Sequence, residues 1–140
     1  MTKQVVLSLR GEQTYMGQEP DVIELVTDGT LKQVSSGWEL SYEETALTGL
    51  EGVQTTFLLE KGCVTLTRTG KLHSQMIFRE GVSHDSLYQM EFGALMIRVC
   101  ASHIGWDLSF DGGTVDLKYA IEIEQNAAGT GDYHLDIQAK

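Results

Sequence analysis

The stretch VDLKYAIEI, Val115 to Ile123, decides the fold class because its apolar and polar residues alternate with a period of two. Every second residue from Val115 onward is apolar, whereas Asp116, Lys118 and Glu122 fall between them. Successive side chains of a β-strand point to opposite faces of a sheet, so this alternation predicts a strand with one buried face. No segment of the chain shows convincing helical periodicity.

The same alternation recurs along the chain and predicts an all-β protein. It is present in the segments LMIRVCA (Leu95–Ala101), YHLDI (Tyr133–Ile137) and WELSY (Trp38–Tyr42). Further strands are expected near Gln4–Arg10, Asp21–Thr27, Thr30–Ser35 and Trp38–Glu44, and from Val53 onward.

Dipeptides that contain glycine separate these strands and indicate tight hairpins. They are Asp28–Gly29, Ser36–Gly37, Lys61–Gly62, Phe92–Gly93, Ile104–Gly105 and Gly112–Gly113. Three-residue loops are expected at Thr69–Lys71 and Ala127–Gly129, because only these lengths keep the apolar faces aligned. The cross-strand pairs predicted on this basis are Thr55 with Arg68, Leu59 with Val64, Arg68 with Leu72, Tyr88 with Ile97, Ala101 with Leu108, Trp106 with Tyr119, and Tyr119 with Ile137.

A flat sheet of so many strands would leave two exposed edges and an uncovered apolar face. Closure into one antiparallel meander barrel of about 8–10 strands removes both, and the whole chain, residues 1–140, is expected to form this single domain. A two-sheet sandwich is the alternative, but short connections between consecutive strands count against it. The longer connection Thr45–Gly52 is expected to cross one end of the barrel.

Composition limits the partners and the compartment. The chain has 140 residues, 20 acidic and 10 basic, and a formal charge of −10, which disfavours nucleic acid and anionic membranes. Two cysteines are too few for a disulfide framework, and neither a secretory segment nor a membrane-length apolar run is evident. A cytoplasmic location is therefore expected.

Arg68 is unusual because, counted in steps of two along its strand, it falls on the same inward-facing side as the apolar residues Val64 and Leu66. We call such positions inner parity. The inner polar residues expected near it, and hence the candidate ligand-binding set, are Arg68, Tyr88, Glu44, Thr55 and Ser74. One interpretation is that Arg68 and Tyr88 anchor a carboxylate or phosphate in a barrel whose aliphatic wall holds a tail. The other is that Arg68 only pairs with Glu44, as buried arginines usually do. Aromatic residues of inner parity, including Trp38, Trp106 and Phe110, are large enough to fill the barrel.

Three features carry a family resemblance: LSYEETALTGLEG (Leu40–Gly52), VTLTRTGKLHSQMIF (Val64–Phe78), and Gly81 followed by SLY (Ser86–Tyr88). The strongest elements are YEET (Tyr42–Thr45), RTG (Arg68–Gly70) and GALMI (Gly93–Ile97). With them the chain resembles the YwiB-like β-barrel family, bacterial proteins of unknown function placed with calycin-type (lipocalin-like) barrels. Glu91 and Phe92 depart from the Thr-Pro expected before Gly93. The resemblance implies a calycin-like barrel, whose relatives hold fatty acids, and no established activity.

Enzyme chemistry is not expected. Ser83, His84 and Asp85 are consecutive, and neighbours on an extended segment point apart and cannot form a triad. The histidines lack metal-ligand spacing, so no catalytic residue, metal or cofactor is predicted. The leading hypothesis is a barrel that binds a small amphiphilic or anionic ligand. The alternative is a filled, ligand-free barrel that serves as a structural or protein-interaction module, through its acidic outer face or an uncovered edge strand.

Overall fold

The structure, a computed structural model, describes residues 2–15, 17–45, 51–71, 73–90 and 93–140, and for residues 87–90 it describes the backbone alone. This part of the chain forms ten strands. They are β1 (Thr2–Tyr15), β2 (Asp21–Val34), β3 (Gly37–Glu43), β4 (Val53–Glu60), β5 (Cys63–Gly70), β6 (Ser74–Arg79), β7 (Ser83–Met90), β8 (Gly93–Ser109), β9 (Gly112–Ile123) and β10 (Asn126–Ala139). Within the described residues, no helix is long and apolar enough to cross a membrane.

All ten strands belong to one antiparallel sheet in which neighbours in sequence are neighbours in space. The order is β6-β5-β4-β3-β2-β1-β10-β9-β8-β7, so the pairing of β1 with β10 joins the two ends of the chain. The sheet curls until β6 and β7 lie side by side, which makes a nearly closed barrel. The predicted all-β meander barrel is confirmed.

Among the described residues, β6 and β7 meet at a seam that has a single bridge instead of a ladder, and the turn between them is held to β8. One bridge joins Arg79 to Val82, the Gly81 amide donates to the Ala101 carbonyl at 3.0 Å, and the Ile104 amide donates to Glu80 Oε1 at 2.7 Å. Continuing the Arg79–Val82 register would set buried Phe78 opposite exposed Ser83. Because paired residues must share a face, the ladder stops after one bridge.

Apolar side chains fill the barrel in layers that follow the strand registers. Leu40, Phe57 and Leu66 form one layer across β3, β4 and β5, and each is at most 3% exposed. The aromatic residues join different sides of the wall: the rings of Trp38 and Phe110 lie 5.0 Å apart, and those of Phe78 and Tyr119 lie 4.9 Å apart. The aromatic residues predicted to point inward therefore do pack in the core.

Several predicted turns are wrong because their glycines lie inside long strands. Asp28–Gly29 lies within β2 and Ile104–Gly105 within β8, each of which runs on without interruption. The predicted partners Ala101 and Leu108 therefore belong to one strand and do not pair. Gly29 is buried, and a side chain at this position would clash with Leu7 and with the Ser41 carbonyl, so the glycine serves close packing and not chain reversal.

The turns between later strands are also displaced from their predicted places. β8 and β9 are joined at Phe110–Asp111, and β9 and β10 at Glu124–Gln125, whose φ angles of 51° and 68° suit a two-residue hairpin. The observed pairs replace four predicted ones: Trp106 pairs with Val115, Tyr119 with Gly131, Arg68 with Ser74, and Tyr88 with Leu95. Thr55 with Arg68 and Leu59 with Val64 are confirmed. The predicted turn at Phe92 and most of the Thr45–Gly52 connection lie outside the described residues.

Replacing Glu80 tests whether its hydrogen bond to the Ile104 amide stabilises the barrel at the seam. Replacing it with Ala removes the acceptor of the Ile104 amide, and we expect unfolding to become easier by about 1–2 kcal/mol. Glu80→Gln keeps an acceptor oxygen and should cost less than half as much. Urea unfolding measures both variants, and amide exchange at Ile104 should accelerate in Glu80→Ala alone; equal stabilities would show that the contact does not hold the seam.

Candidate ligand-binding site

Four polar side chains form one row across the inner wall, and we call them the polar row: Tyr42, Thr55, Arg68 and Ser74. Each is the cross-strand partner of the next, on β3, β4, β5 and β6 in turn. Cross-strand partners share a face, and Thr55 is fully buried, so all four belong to the inside of the barrel. Of the five predicted site residues, Thr55, Arg68 and Ser74 are therefore brought together.

Glu44 joins the polar row from the end of β3. The residue is only 6% exposed, and its Oε2 accepts a hydrogen bond of 2.5 Å from the Thr55 hydroxyl. The Tyr42 side chain is also hydrogen-bonded to Glu44. A buried carboxylate needs such donors because removal from water is costly, and here two hydroxyls provide them.

The pKa of Tyr42 is raised far above its usual value. Burial is the main cause, the Glu44 charge adds to it, and the Arg68 charge opposes it. Tyr42 therefore stays protonated and acts as the donor to Glu44. Since both charges act on the Tyr42 hydroxyl, the glutamate and the arginine are both close to this end of the barrel.

Arg68 lies on the inner face, as its parity predicts. Its side chain is half-buried and its Nε atom is fully buried. The predicted ion pair between Arg68 and Glu44 stays a prediction. A guanidinium therefore belongs to the inner wall, one strand away from Thr55 and one from Ser74.

Two buried polar atoms near the polar row or on the neighbouring strand β7 have no hydrogen-bond partner among the described residues. One is the Ser74 hydroxyl on β6, whose residue is 8% exposed, and the other is Nε2 of His84 on β7. His84 pairs with Val99, which is fully buried, so it faces the barrel interior. Sequence reasoning missed His84 as a candidate, although its position alternates in step with Tyr88, which was assigned to the inner face.

Tyr88, the fifth predicted site residue, has a described backbone only. It pairs with Leu95, which packs against the core. The position of its ring lies outside the described side chains, and its role stays a prediction.

A cleft of about 310 Å³ opens at the Glu44 end of the polar row. Its lining includes Glu44, Val53, Thr69 and Gly70, at the ends of β3, β4 and β5. Three other clefts lie against outward-facing residues, such as Cys100, Glu24 and Lys118. The first cleft therefore brings solvent to Glu44, at the end of the polar row. Within the described ranges, no cluster of three His, Cys, Asp or Glu side chains could hold a metal ion.

These features define a meander barrel with an apolar interior and a polar row near one end. Residues 7–137 match the family described as "Domain of unknown function (DUF1934)", so the chain belongs to that family. The crystal structure of the ywiB protein from Bacillus subtilis is similar, with a TM-score of 0.88 over 99% of this chain and 93% of that one. At 22% identity this likeness shows the fold alone, and it confirms the predicted resemblance. No curated protein sequence matches the chain.

Thr55→Val tests the hydrogen bond to Glu44 without changing the volume of the side chain. We expect a loss of about 2–3 kcal/mol in the free energy of unfolding, because a buried carboxylate loses a donor. Thr56→Val is the matched control: its hydroxyl is hydrogen-bonded to the Ser41 hydroxyl in a half-buried position, and we expect less than about 1 kcal/mol. Equal losses in urea unfolding would contradict this account.

His134, on the outer face of the barrel, makes the stability of the fold depend on pH. Its Nδ1 lies 2.6 Å from Asp116 Oδ1 and its Nε2 lies 3.2 Å from Asp136 Oδ2, and these carboxylates, Asp116 foremost, raise the pKa of the imidazole. The imidazolium therefore stabilises the fold below the unfolded pKa, and this contribution is lost as pH rises through the folded pKa. The stability difference between wild type and His134→Gln should be larger at about pH 5.5 than at about pH 8.5. An NMR titration that places the pKa of His134 below the ordinary value for histidine, about 6.5, would refute the assignment.

Proposed function

We propose that the protein binds a small anionic molecule at the polar row and catalyses no reaction. The observation that carries this proposal is the buried Ser74 hydroxyl, which has no hydrogen-bond partner among the described residues and is next to Arg68 in register. A buried hydroxyl without a partner is costly, and a bound group that accepts its proton removes the cost. Arg68 supplies the charge that favours an anion.

The hydrogen bonds that Glu44 accepts allow an anionic ligand to bind nearby, in spite of the negative charge of Glu44. Thr55 and Tyr42 both donate hydrogen bonds to its carboxylate, so the stabilisation of buried Glu44 does not depend on Arg68 alone. A guanidinium has five N–H donors in a planar fork, which exceeds what one protein partner uses. Arg68 can therefore keep its protein contacts and still donate two parallel hydrogen bonds to a carboxylate or phosphate.

The packing beneath the polar row limits the size of this ligand. The next inward layer consists of Leu40, Phe57 and Leu66, which are 0%, 3% and 1% exposed. A long apolar tail of the kind that calycin-type barrels hold would have to displace these side chains, at a cost of several kcal/mol for cavity opening and repacking. A compact anion, or a ligand whose apolar part stays at the barrel end, fits better than a fatty acid.

The second candidate is a filled barrel that acts by binding other proteins. Two observations favour it: the apolar core is continuous, and β2 exposes the apolar residues Val22, Ile23 and Val26. Under either proposal we place the protein in the cytoplasm, without nucleic acid as a partner, on the basis of its cysteine content and its charge of −10.

Native mass spectrometry of protein purified from its own host separates the two candidates. We expect a small anionic ligand on the wild type, and at least about tenfold lower occupancy in Arg68→Gln and in Ser74→Val, since each loses an anion contact worth about 1.5–3 kcal/mol. Arg79→Gln is the control, because Arg79 is an exposed arginine on the same strand as Ser74.

Two results would contradict the ligand site. The first is equal occupancy in Arg68→Gln and Arg79→Gln. The second is a wild type that carries no small molecule, together with an Arg68→Gln variant that differs only in melting temperature. That second result favours the filled barrel, in which Arg68 serves the fold alone.

A further inference from the structure

Exposed apolar residues concentrate on one half of β2. Among the described residues, Val22, Ile23 and Val26 are 48%, 46% and 71% exposed, whereas the other two large exposed apolar residues, Val82 and Met96, lie on different parts of the barrel. Single exposed apolar residues are ordinary, but a cluster on one strand marks an interaction surface or an aggregation hazard.

The same half of β2 is a sheet edge. β1 pairs with β2 from Asp21 to Lys32, whereas β3 pairs only with Gly29–Val34. In the described part of the chain, Asp21–Asp28 therefore has a strand on one side and none on the other, and we call this segment the open edge. An edge of this length offers unpaired backbone groups to another strand.

The outer face of the open edge alternates apolar and acidic residues. Val22, Glu24, Val26 and Asp28 occupy every second position, and the side chains of Glu24 and Asp28 are 76% and 71% exposed. Their cationic neighbours leave them accessible: Arg10 lies 3.8 Å from Glu24 and Lys140 lies 2.9 Å from Asp28. Opposite charges stabilise directly opposed cross-strand positions, so a strand placed here gains by offering cations.

A second copy of this chain is the poorer occupant. It would bring the same acidic residues and another formal charge of −10 towards the open edge. Like charges on adjoining strands destabilise the pairing, and net charge of this size opposes self-association. A basic segment meets neither obstacle.

We propose that the open edge binds an extended, basic segment of a partner protein as an additional strand of the sheet. Lys or Arg side chains of the partner lie opposite Glu24 and Asp28, and β-branched residues lie opposite Val22 and Val26. Backbone hydrogen bonds supply the pairing and the alternation supplies the selectivity. This inference rests on the second candidate function, protein binding, and names the chemistry of the partner.

The test uses a synthetic peptide about nine residues long, a typical strand length, in which Lys and Val alternate on one face and Thr fills the other. Two companions replace every Lys with Glu or with Gln. NMR spectra of the labelled full chain record each titration. We expect the Lys peptide to shift the amide signals of Asp21–Asp28, the Gln peptide to bind at least about fivefold more weakly, and the Glu peptide to bind not at all.

Matched variants locate the contact. Glu24→Lys should weaken binding of the Lys peptide at least about tenfold and should permit binding of the Glu peptide. The control Glu39→Lys makes the same charge change on a strand that is paired on both sides, and it should alter the binding of neither peptide. Val26→Thr should weaken the Lys peptide, and Val82→Thr should not, although Val82 is also an exposed valine.

Three outcomes overturn the inference in distinguishable ways. If the Gln and Lys peptides bind the open edge equally, strand addition holds but the basic partner is wrong. If no peptide shifts the Asp21–Asp28 signals, the open edge is not a docking site, and protein binding there fails as well. If sedimentation shows dimers that Glu24→Lys disperses, the occupant is a second copy of the chain.

Discussion

The barrel depends on one constraint: alternate side chains of every strand must lie on the same apolar inner face. Neighbouring strands can pair only when their inward residues stand opposite one another, so each register moves in steps of two residues. Leu40 with Phe57 and Phe57 with Leu66 obey this rule in the packed layer. The polar row obeys it too, because Thr55, Arg68 and Ser74 are paired in the same manner one step further along. Core and candidate site are therefore consequences of the same alternation.

This constraint explains why the sequence predicted the inner face well and the registers poorly. The pairs of Trp106, of Tyr119 and of Arg68 all differ from prediction, yet each error is an even number of residues and leaves the side chains on the predicted face. Up to Ala101 the odd-numbered residues of β8 point inward, whereas from Ile104 onward the even-numbered residues do. Sequence reasoning explained this change by a turn. The structure has a β-bulge between Ala101 and His103 within one continuous strand, which produces the same change of parity without reversing the chain. Alternation alone cannot distinguish the two.

Glycine misled the prediction of turns because a strand and a hairpin can both require it. Gly131 lies opposite Tyr119, whose ring covers the space that a side chain at position 131 would need. Conversely, the hairpin at Glu124–Gln125 contains no glycine although both residues have positive φ angles. Such positions depend on the bulky neighbour across the sheet and on the rest of the register, which local sequence does not contain. The hydrogen bonds among Tyr42, Glu44 and Thr55 were unpredictable for a related reason: parity gives the face of a residue but not the distance between two side chains on it.

Both candidate sites lie where strand pairing is incomplete, and a physical reason connects them. Inside a complete ladder the backbone groups satisfy one another, so only side chains that still lack a partner remain to recognise another molecule. At the seam, the parity conflict between Phe78 and Ser83 ends the ladder, and the buried polar atoms of Ser74 and His84 lie on the two strands that flank it. At the open edge, β3 leaves β2 after Gly29, and apolar residues remain exposed beside unpaired backbone. The strand pairing that builds the barrel thus also determines, by the places where it stops, where binding energy is still available.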